Sequence, residues 1–125
     1  MFKVIHSPKA PQAIGPYSQA TQCGNFIFLS GQIGFDPTTM ELVGQNCEAQ
    51  AQQVFKNMKE VLIAANADFS KVVKLTIYLK DLQDFPVINE IMKTYFQEPY
   101  PARTTIQVAA LPKNALIEID AIVMI

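Results

Sequence analysis

Residues 116–123, near the end of the chain, constrain the fold more than any other segment. Their apolar side chains fall on both faces of an extended backbone, and only Glu118 and Asp120 interrupt them. A strand that is apolar on both faces is typical of the middle of a sheet, where both sides are covered. We therefore expect a fold built on a sheet, with this segment at its centre.

Two helices are predicted from the spacing of apolar residues. In residues 54–65 these recur at steps of three and four, which gives one apolar stripe along a helix. Asn46 can cap the start of this helix, and its end is predicted near Asn66. A second stripe follows Pro86 and stops at Pro99, because proline fits the first turn of a helix but not its interior.

Four further strands are predicted at residues 17–21, 26–29, 72–79 and 104–108. Residues 72–79 alternate in polarity, as a strand with one buried and one mixed face does. The residues expected on the buried face are Val73, Leu75, Ile77 and Leu79. Those expected on the mixed face are Lys74, Thr76 and Tyr78.

The order of these elements predicts an α+β fold in which two helices pack on one face of a mixed sheet. The chain has 125 residues, half of them apolar, without repeats or a linker, so we expect one domain over residues 1–125. The second sheet face is expected to be partly apolar, at Tyr78, Ile106, Leu116 and Ile122. In a small domain, such a face usually marks self-association.

Composition argues against two classes of partner. No apolar run approaches the ~18–20 residues that cross a bilayer, so membrane insertion is excluded. The ten Lys or Arg residues are balanced by eleven Asp or Glu and form no basic cluster. Nucleic-acid binding is therefore disfavoured, because its strength rests on neutralising phosphates.

Histidine and cysteine give no sign of a metal or a secretory setting. His6 is the only histidine and is expected at the surface or at a strand end. Neither Cys23 nor Cys47 has a ligand-type neighbour at zinc spacing, so no metal site is expected. Because no cationic-then-apolar leader begins the chain, we expect both thiols to be reduced and the location to be cytoplasmic.

Arg103 is a candidate for binding a carboxylate. It follows a proline-rich stretch of restricted backbone and precedes a predicted strand, so its guanidinium is pre-oriented. The planar fork of arginine can bind a carboxylate through two parallel hydrogen bonds. The alternative is a structural ion pair with Glu118 or Asp120.

Glu118 lies between two isoleucines in the most apolar predicted strand. There an ionised carboxylate needs a partner or is pushed toward its neutral form. Such a carboxylate is either a functional group or one half of a structural salt bridge. The spacing of residues leaves both interpretations open.

Several short motifs resemble those of one known family. They lie at residues 15–20 (Gly-Pro-Tyr-Ser-Gln-Ala), 29–34 (Leu-Ser-Gly-Gln-Ile-Gly), 87–90 (Val-Ile-Asn-Glu), 101–105 (Pro-Ala-Arg-Thr-Thr), 110–112 (Ala-Leu-Pro) and 117–119 (Ile-Glu-Ile). Together they resemble the Rid family, also called the YjgF family, of reactive-intermediate imine deaminases, and especially its RidA branch. The block from the arginine to the glutamate is the specific part, and the resemblance covers nearly the whole chain.

This resemblance implies a chorismate-mutase-like fold and a homotrimer whose sheets line a central barrel, with ligand clefts between neighbouring subunits. It also implies cofactor-free hydrolysis of reactive enamines and imines. The substrates would be 2-aminoacrylate, 2-iminopropanoate and 2-iminobutanoate, and the products 2-keto acids and ammonia.

The matching motifs also imply site residues. Arg103 would grip the substrate carboxylate, and Glu118 would orient or activate the attacking water. The residues implied to shape the pocket, some of them from an adjacent subunit, are Tyr17, Ser30, Gly31 and Asn89. Thr105 stands where many relatives carry cysteine, and we expect this difference to matter little to the reaction, because water attack on an imine needs no covalent nucleophile.

A binding module is the competing class of function. Relatives in this superfamily are linked to translation inhibition, RNA cleavage and binding of small keto acids. A net charge of −1 argues against general affinity for RNA. A regulatory module that binds a small metabolite stays open beside the enzyme.

Overall fold

The computed structural model describes residues 1–125, and its regular elements are six strands and two α-helices, with three short 3₁₀ turns. The strands are β1 (Lys3–Ile5), β2 (Ala20–Cys23), β3 (Phe26–Gln32), β4 (Val72–Leu79), β5 (Ala102–Gln107) and β6 (Ile117–Met124). The helices are α1 (Cys47–Ala64) and α2 (Phe85–Tyr95). No helix is long and apolar enough to cross a membrane.

All six strands form one mixed sheet in the order β1-β2-β3-β6-β4-β5. Strand β6 lies between β3 and β4 and pairs antiparallel with both. Strand β5 pairs with β4 in parallel, so α2 serves as the crossover between them. The central position expected for residues 116–123 is confirmed.

Both helices cover the same face of this sheet. The sheet residues beneath them are almost fully buried; they include Ile27, Leu29, Leu75, Ile77, Ile117, Ile119 and Val123. On α1 the buried partners are Val54, Phe55, Met58, Val61 and Leu62. The predicted α+β arrangement, with two helices on one face, is confirmed.

The other face of the sheet, which we call the open face, is not covered within the chain. Phe26, Phe28 and Ile106 are exposed there, and Ile122 is half-buried. The open face also holds the polar side chains that alternate with the buried ones of β6. The expectation of a partly apolar second face is confirmed for Tyr78, Ile106 and Ile122. Leu116 instead precedes β6 and packs against the core beneath the helices.

Helix α1 begins where its sequence predicts. The side-chain Oδ1 of Asn46 accepts a hydrogen bond from the backbone N–H of Ala49 at 2.8 Å, which satisfies a donor that the helix leaves free. The helix ends at Ala64, and Asn66 just beyond it has a φ of 56°, in the left-handed region that asparagine tolerates. The predicted end near Asn66 is therefore confirmed.

Strand β1 is absent from the predicted strands, and two of the predicted strands need correction. Val73 is 42% exposed and Val72 is buried, because the β4–β6 register shifts between Val72 and Lys74 and turns Val73 outward. Strand β2 begins at Ala20 rather than at residue 17. Tyr17 lies outside it, because its N–H closes a tight turn onto the carbonyl of Gly15.

Gln19 ties the N-terminal segment to the rest of the fold. Its buried side chain accepts a hydrogen bond from the N–H of Ser7 at 2.6 Å. It also donates to the carbonyl of Ser7 at 3.1 Å and to that of Pro11 at 2.8 Å. One amide group thus satisfies three backbone groups that would otherwise be buried without partners. This contact places residues 8–17 beside the end of β3.

We expect Gln19→Leu to lower the free energy of unfolding by about 2–4 kcal/mol, because it leaves those backbone groups without hydrogen-bond partners. Urea denaturation followed by circular dichroism measures this. Gln22→Leu is the matched control, since the Gln22 side chain only donates to the exposed carbonyl of Gly24. Equal midpoints for the two variants would contradict the role given to Gln19.

Candidate active site

Arg103 lies on β5 with its side chain on the helix-covered face. It stands opposite the buried Leu75 of β4, and residues directly opposite in a ladder share a face. Its Nη1 donates to Oδ1 of Asn89 at 2.7 Å and to the sulfur of Met92 at 3.3 Å. The Phe85 ring lies with its centroid 4.8 Å from the guanidinium carbon.

No carboxylate of the chain pairs with Arg103. The one ion pair within 4.0 Å joins Lys93 to Glu90 on the surface of α2. The alternative of a structural ion pair between Arg103 and Glu118 or Asp120 is therefore wrong for the chain itself. The guanidinium keeps its charge available to a ligand.

A cleft of about 610 Å³ opens beside Arg103, between α2 and the segment that leads into β5. Its lining includes Pro86, Asn89, Met92, Lys93, Tyr100 and Pro101. Glu90 lines this cleft too and pairs with Lys93, so Arg103 is the cation of the cleft that has no carboxylate partner. Such a cleft suits a small anion with a short apolar part.

Glu118 lies on the opposite, open face of the sheet. It stands opposite Tyr78 of β4, while its neighbours Ile117 and Ile119 are buried under the helices. A small cavity of about 60 Å³ beside it is lined by Tyr17, Gln19, Gly31 and Pro112, among others. The N-terminal segment that Gln19 anchors thus forms one wall of this cavity.

The space that Glu118 occupies depends on Gly31. A Cβ atom on Gly31 would lie 2.5 Å from Oε2 of Glu118, which is closer than real atoms approach. The β3–β6 register shifts here, so that Ser30 and Gly31 together stand between the pairs of Leu29 and Gln32. The bulge, together with the absence of a side chain at Gly31, leaves room for the Glu118 carboxyl over β3.

Glu118 has no partner of its own in the chain. It forms no ion pair, so the structural salt bridge considered from the sequence is not formed. Burial raises the pKa of Glu118 above its usual value, and the charge of Asp120 adds to this. Asp120 itself accepts a hydrogen bond from the Tyr78 hydroxyl at 2.9 Å, which raises the pKa of Tyr78.

The sequence-predicted site residues fall into two groups on the two faces of the sheet. Asn89 and Thr105 accompany Arg103 on the helix-covered side, and Asn89 is bonded to it directly. Tyr17 and Gly31 accompany Glu118. The remaining one, Ser30, has a hydroxyl that donates to the carbonyl of Ser18 at 2.6 Å and so ties β3 to the segment carrying Tyr17.

One chain therefore does not bring Arg103 and Glu118 into one pocket. Strand β4 lies between their strands, and their side chains leave the sheet on opposite faces. His6, the only histidine, is exposed just after β1. The structure contains no group of three or more His, Cys, Asp or Glu side chains that could hold a metal ion.

Sequence reasoning missed two residues of the Arg103 environment, Phe85 and Met92. Together with Asn89 they stand at positions i, i+4 and i+7 of α2, which is one face of a helix. That spacing was visible in the sequence. The predicted apolar stripe of this helix includes Met92 but not Phe85, and nothing local in the sequence tells which strand residue either side chain meets.

Residues 7–125 match the family model described as Endoribonuclease L-PSP. The chain belongs to this family, which is the Rid or YjgF family. The resemblance inferred from the motifs is thus confirmed.

Individual Rid relatives match nearly the whole chain. A protein of Dermatophagoides farinae named 2-iminobutanoate/2-iminopropanoate deaminase is 53% identical, over 98% of this chain and 96% of its own length. RidA from the Antarctic bacterium Psychrobacter sp. PAMC 21119 is 50% identical and superposes with a TM-score of 0.95, covering 98% of this chain and 99% of that one. E. coli TdcF, solved with bound serine, is 40% identical with a TM-score of 0.92, covering 98% of each chain. These likenesses confirm the predicted fold class.

The raised pKa of Glu118 gives an expected dependence of stability on pH. Because its carboxyl is harder to ionise in the folded chain than in the unfolded one, the wild type loses stability as pH rises through that pKa. Glu118→Gln cannot ionise and avoids this loss. We therefore expect the Tm of Glu118→Gln, relative to wild type, to be higher at pH 8 than at pH 4.

Thermal melts at both pH values measure this difference. Glu90→Gln is the control, since Glu90 is exposed and pairs with Lys93, so its removal should give no gain at pH 8. If the Tm difference between Glu118→Gln and wild type does not change with pH, the pKa of Glu118 is not raised in the folded protein.

Proposed function

We propose that this protein is a cofactor-free deaminase that hydrolyses 2-iminopropanoate and 2-iminobutanoate to 2-keto acids and ammonia. Their enamine tautomers, such as 2-aminoacrylate, enter the same reaction. The observation that carries the proposal is the Arg103 guanidinium, which meets no carboxylate in a chain 53% identical to a protein named for this activity. Every substrate in this class carries a carboxylate beside the reacting carbon.

The geometry suits water attack on an imine. A protonated imine carbon is already electrophilic, so the enzyme must mainly place a water molecule and stabilise charge. Arg103 would hold the carboxylate and so fix the position of the imine carbon. Glu118 would orient the water and accept its proton; a carboxyl whose pKa is raised by burial is a stronger base than an ordinary one.

We further propose that the site is completed between subunits of a homotrimer. One chain separates Arg103 from Glu118, and a neighbouring chain can supply the missing half. The exposed Phe26, Phe28 and Ile106 of the open face support such an assembly.

The hydroxyl of Thr105 also supports this assembly. It is buried and has no hydrogen-bond partner in the chain. An unpartnered buried hydroxyl costs about 1–3 kcal/mol, so a ligand or a neighbouring subunit is the natural source of a partner. Thr105 lies two residues after Arg103, on the same face of β5.

We place the reaction in the cytoplasm, where pyridoxal-phosphate dehydratases release such imines. The two cysteines, Cys23 and Cys47, are free thiols, as in most proteins of a reducing compartment.

A coupled assay tests the activity directly. A serine dehydratase generates 2-aminoacrylate, and ammonia release is followed with and without this protein. We expect faster release in proportion to the amount of protein added. Release at the uncatalysed rate would refute the proposed function.

We expect Arg103→Lys to lose about ten- to a hundredfold in kcat/KM, because a point charge cannot replace a two-bond fork worth roughly 1.5–3 kcal/mol per bond. Arg103→Ala should lose more. Kinetics and light scattering on the same sample separate a ligand role from a structural one. A fully active Arg103→Lys assembly would refute the carboxylate grip.

Mixed assemblies test the shared site. Arg103→Ala and Glu118→Gln chains, each inactive alone, are refolded together. If each site takes Arg103 from one subunit and Glu118 from the next, about a quarter of the sites in random trimers regain both residues.

The control is mixing the two variants without refolding. Light scattering should give about three times the 13.9 kDa chain mass for the wild type. A monomer, or mixed samples as inactive as the parents, would contradict the inter-subunit site.

RNA cleavage is the second candidate function, because the family model itself is described as an endoribonuclease. Binding of RNA to this chain would have to weaken steeply as salt rises, since phosphate neutralisation drives it. Imine hydrolysis should respond little to salt. A salt titration of RNA cleavage beside ammonia release separates the two.

A further inference from the structure

The Arg103 guanidinium is held by α2 before any ligand arrives. Its Nη1 donates to Oδ1 of Asn89 at 2.7 Å and to the sulfur of Met92 at 3.3 Å. An Nη nitrogen of arginine carries two hydrogens. Both hydrogens of Nη1 are therefore used inside the chain.

Phe85 covers one face of the same group. Its ring centroid lies 4.8 Å from the guanidinium carbon, within the range of a cation–π contact. Phe85, Asn89 and Met92 project from one face of α2, one helical turn after another. A face contact and two edge contacts together fix both the plane and the rotation of the guanidinium.

This arrangement selects the edge that a ligand can use. A guanidinium binds a carboxylate with two parallel bonds either from Nη1 and Nη2 or from Nε and Nη2. The first edge is blocked, because Nη1 has no hydrogen left. Nε and Nη2 form no hydrogen bond within the chain, and the 610 Å³ cleft opens beside Arg103.

We propose that Phe85 and Met92 are positioning residues for imine hydrolysis, which act with Asn89 to present only the Nε–Nη2 edge of Arg103 to the substrate carboxylate. This inference rests on the proposed function, since it assumes that Arg103 holds a 2-imino acid. It assigns α2 a part in the chemistry besides covering the sheet. The helix sets the angle at which the carboxylate binds, and so the place of the imine carbon relative to the water.

The arrangement also lowers the cost of binding. A free arginine side chain loses rotamer freedom when it grips a ligand, at roughly 0.5–1.5 kcal/mol per immobilised side chain. The Arg103 side chain has already lost that rotamer freedom when the protein folds, because α2 holds its guanidinium. Removing the Phe85 ring should therefore weaken binding of any 2-keto or 2-imino acid, even though no atom of Phe85 needs to touch it.

The first experiment compares Phe85→Leu with Phe85→Tyr. Leucine keeps an apolar side chain but has no π face, whereas tyrosine keeps the ring. Calorimetry with 2-oxobutanoate, a reaction product, measures binding, and the coupled assay measures kcat/KM. We expect Phe85→Leu to weaken both by about three- to thirtyfold and Phe85→Tyr to stay within about twofold of wild type.

Phe69→Leu is the matched control. Phe69 is also a half-buried aromatic residue, but it packs against Phe55, Tyr95 and Phe96 rather than Arg103. We expect it to lower Tm and to leave 2-oxobutanoate binding unchanged. Equal binding by Phe85→Leu and wild type, or equal weakening by Phe69→Leu, would overturn the proposal.

Chemical rescue gives a readout that a purely structural role would not move. Adding guanidinium ion to Arg103→Ala should restore part of the activity, because Phe85, Asn89 and Met92 still form its binding place. Adding methylammonium, a point charge, should not. In Arg103→Ala combined with Phe85→Leu, rescue by guanidinium should be lost, and rescue of equal size in both backgrounds would overturn the proposal.

Failure of the proposed function would be recognised separately. If the wild type does not speed ammonia release, the deaminase assignment fails. The calorimetric comparison of Phe85→Leu with Phe85→Tyr still decides whether α2 positions Arg103 for a carboxylate.

Discussion

The pairing of β6 with both β3 and β4 is the constraint on which the rest of the structure depends. Because side chains alternate along a strand, β6 sends Ile117 and Ile119 into the core beneath the helices and Glu118 and Asp120 to the open face. The apolar residues hold the strand at the centre of the sheet. The same pairing therefore keeps a carboxyl in a half-buried place where it meets no cation.

The sheet separates Arg103 from Glu118. On one side, α2 and β5 hold a guanidinium with a free edge. On the other, the bulge at Gly31 and the anchored N-terminal segment surround Glu118. Neither Arg103 nor Glu118 forms an ion pair within the chain. The fold thus keeps Arg103 and Glu118 apart within one chain, and the proposed trimer would bring these two halves together.

The proposed hydrolysis of an imine requires few functional groups from the protein. Hydrolysis of a protonated imine needs a held carboxylate and an oriented water, and it needs no nucleophilic residue. The only histidine, His6, lies exposed after β1. Cys47 is a poor nucleophile, since burial raises its pKa to about 12 and keeps the thiol protonated. For the proposed reaction, the fold must above all place Arg103 precisely, and this is the part we assign to α2.

Much of this protein was determined by local sequence. The apolar periods fixed both helices and the central strand, the Asn46 cap fixed where α1 starts, and the motif around Arg103 identified the family. Tertiary structure alone decided the register shift that turns Val73 outward, and the opposite faces taken by Arg103 and Glu118. It also decided that Phe85 and Met92 meet the guanidinium. The reason is physical: a period tells which residues share a face of their own element, but the neighbour opposite that face is set by pairing between segments far apart in the chain.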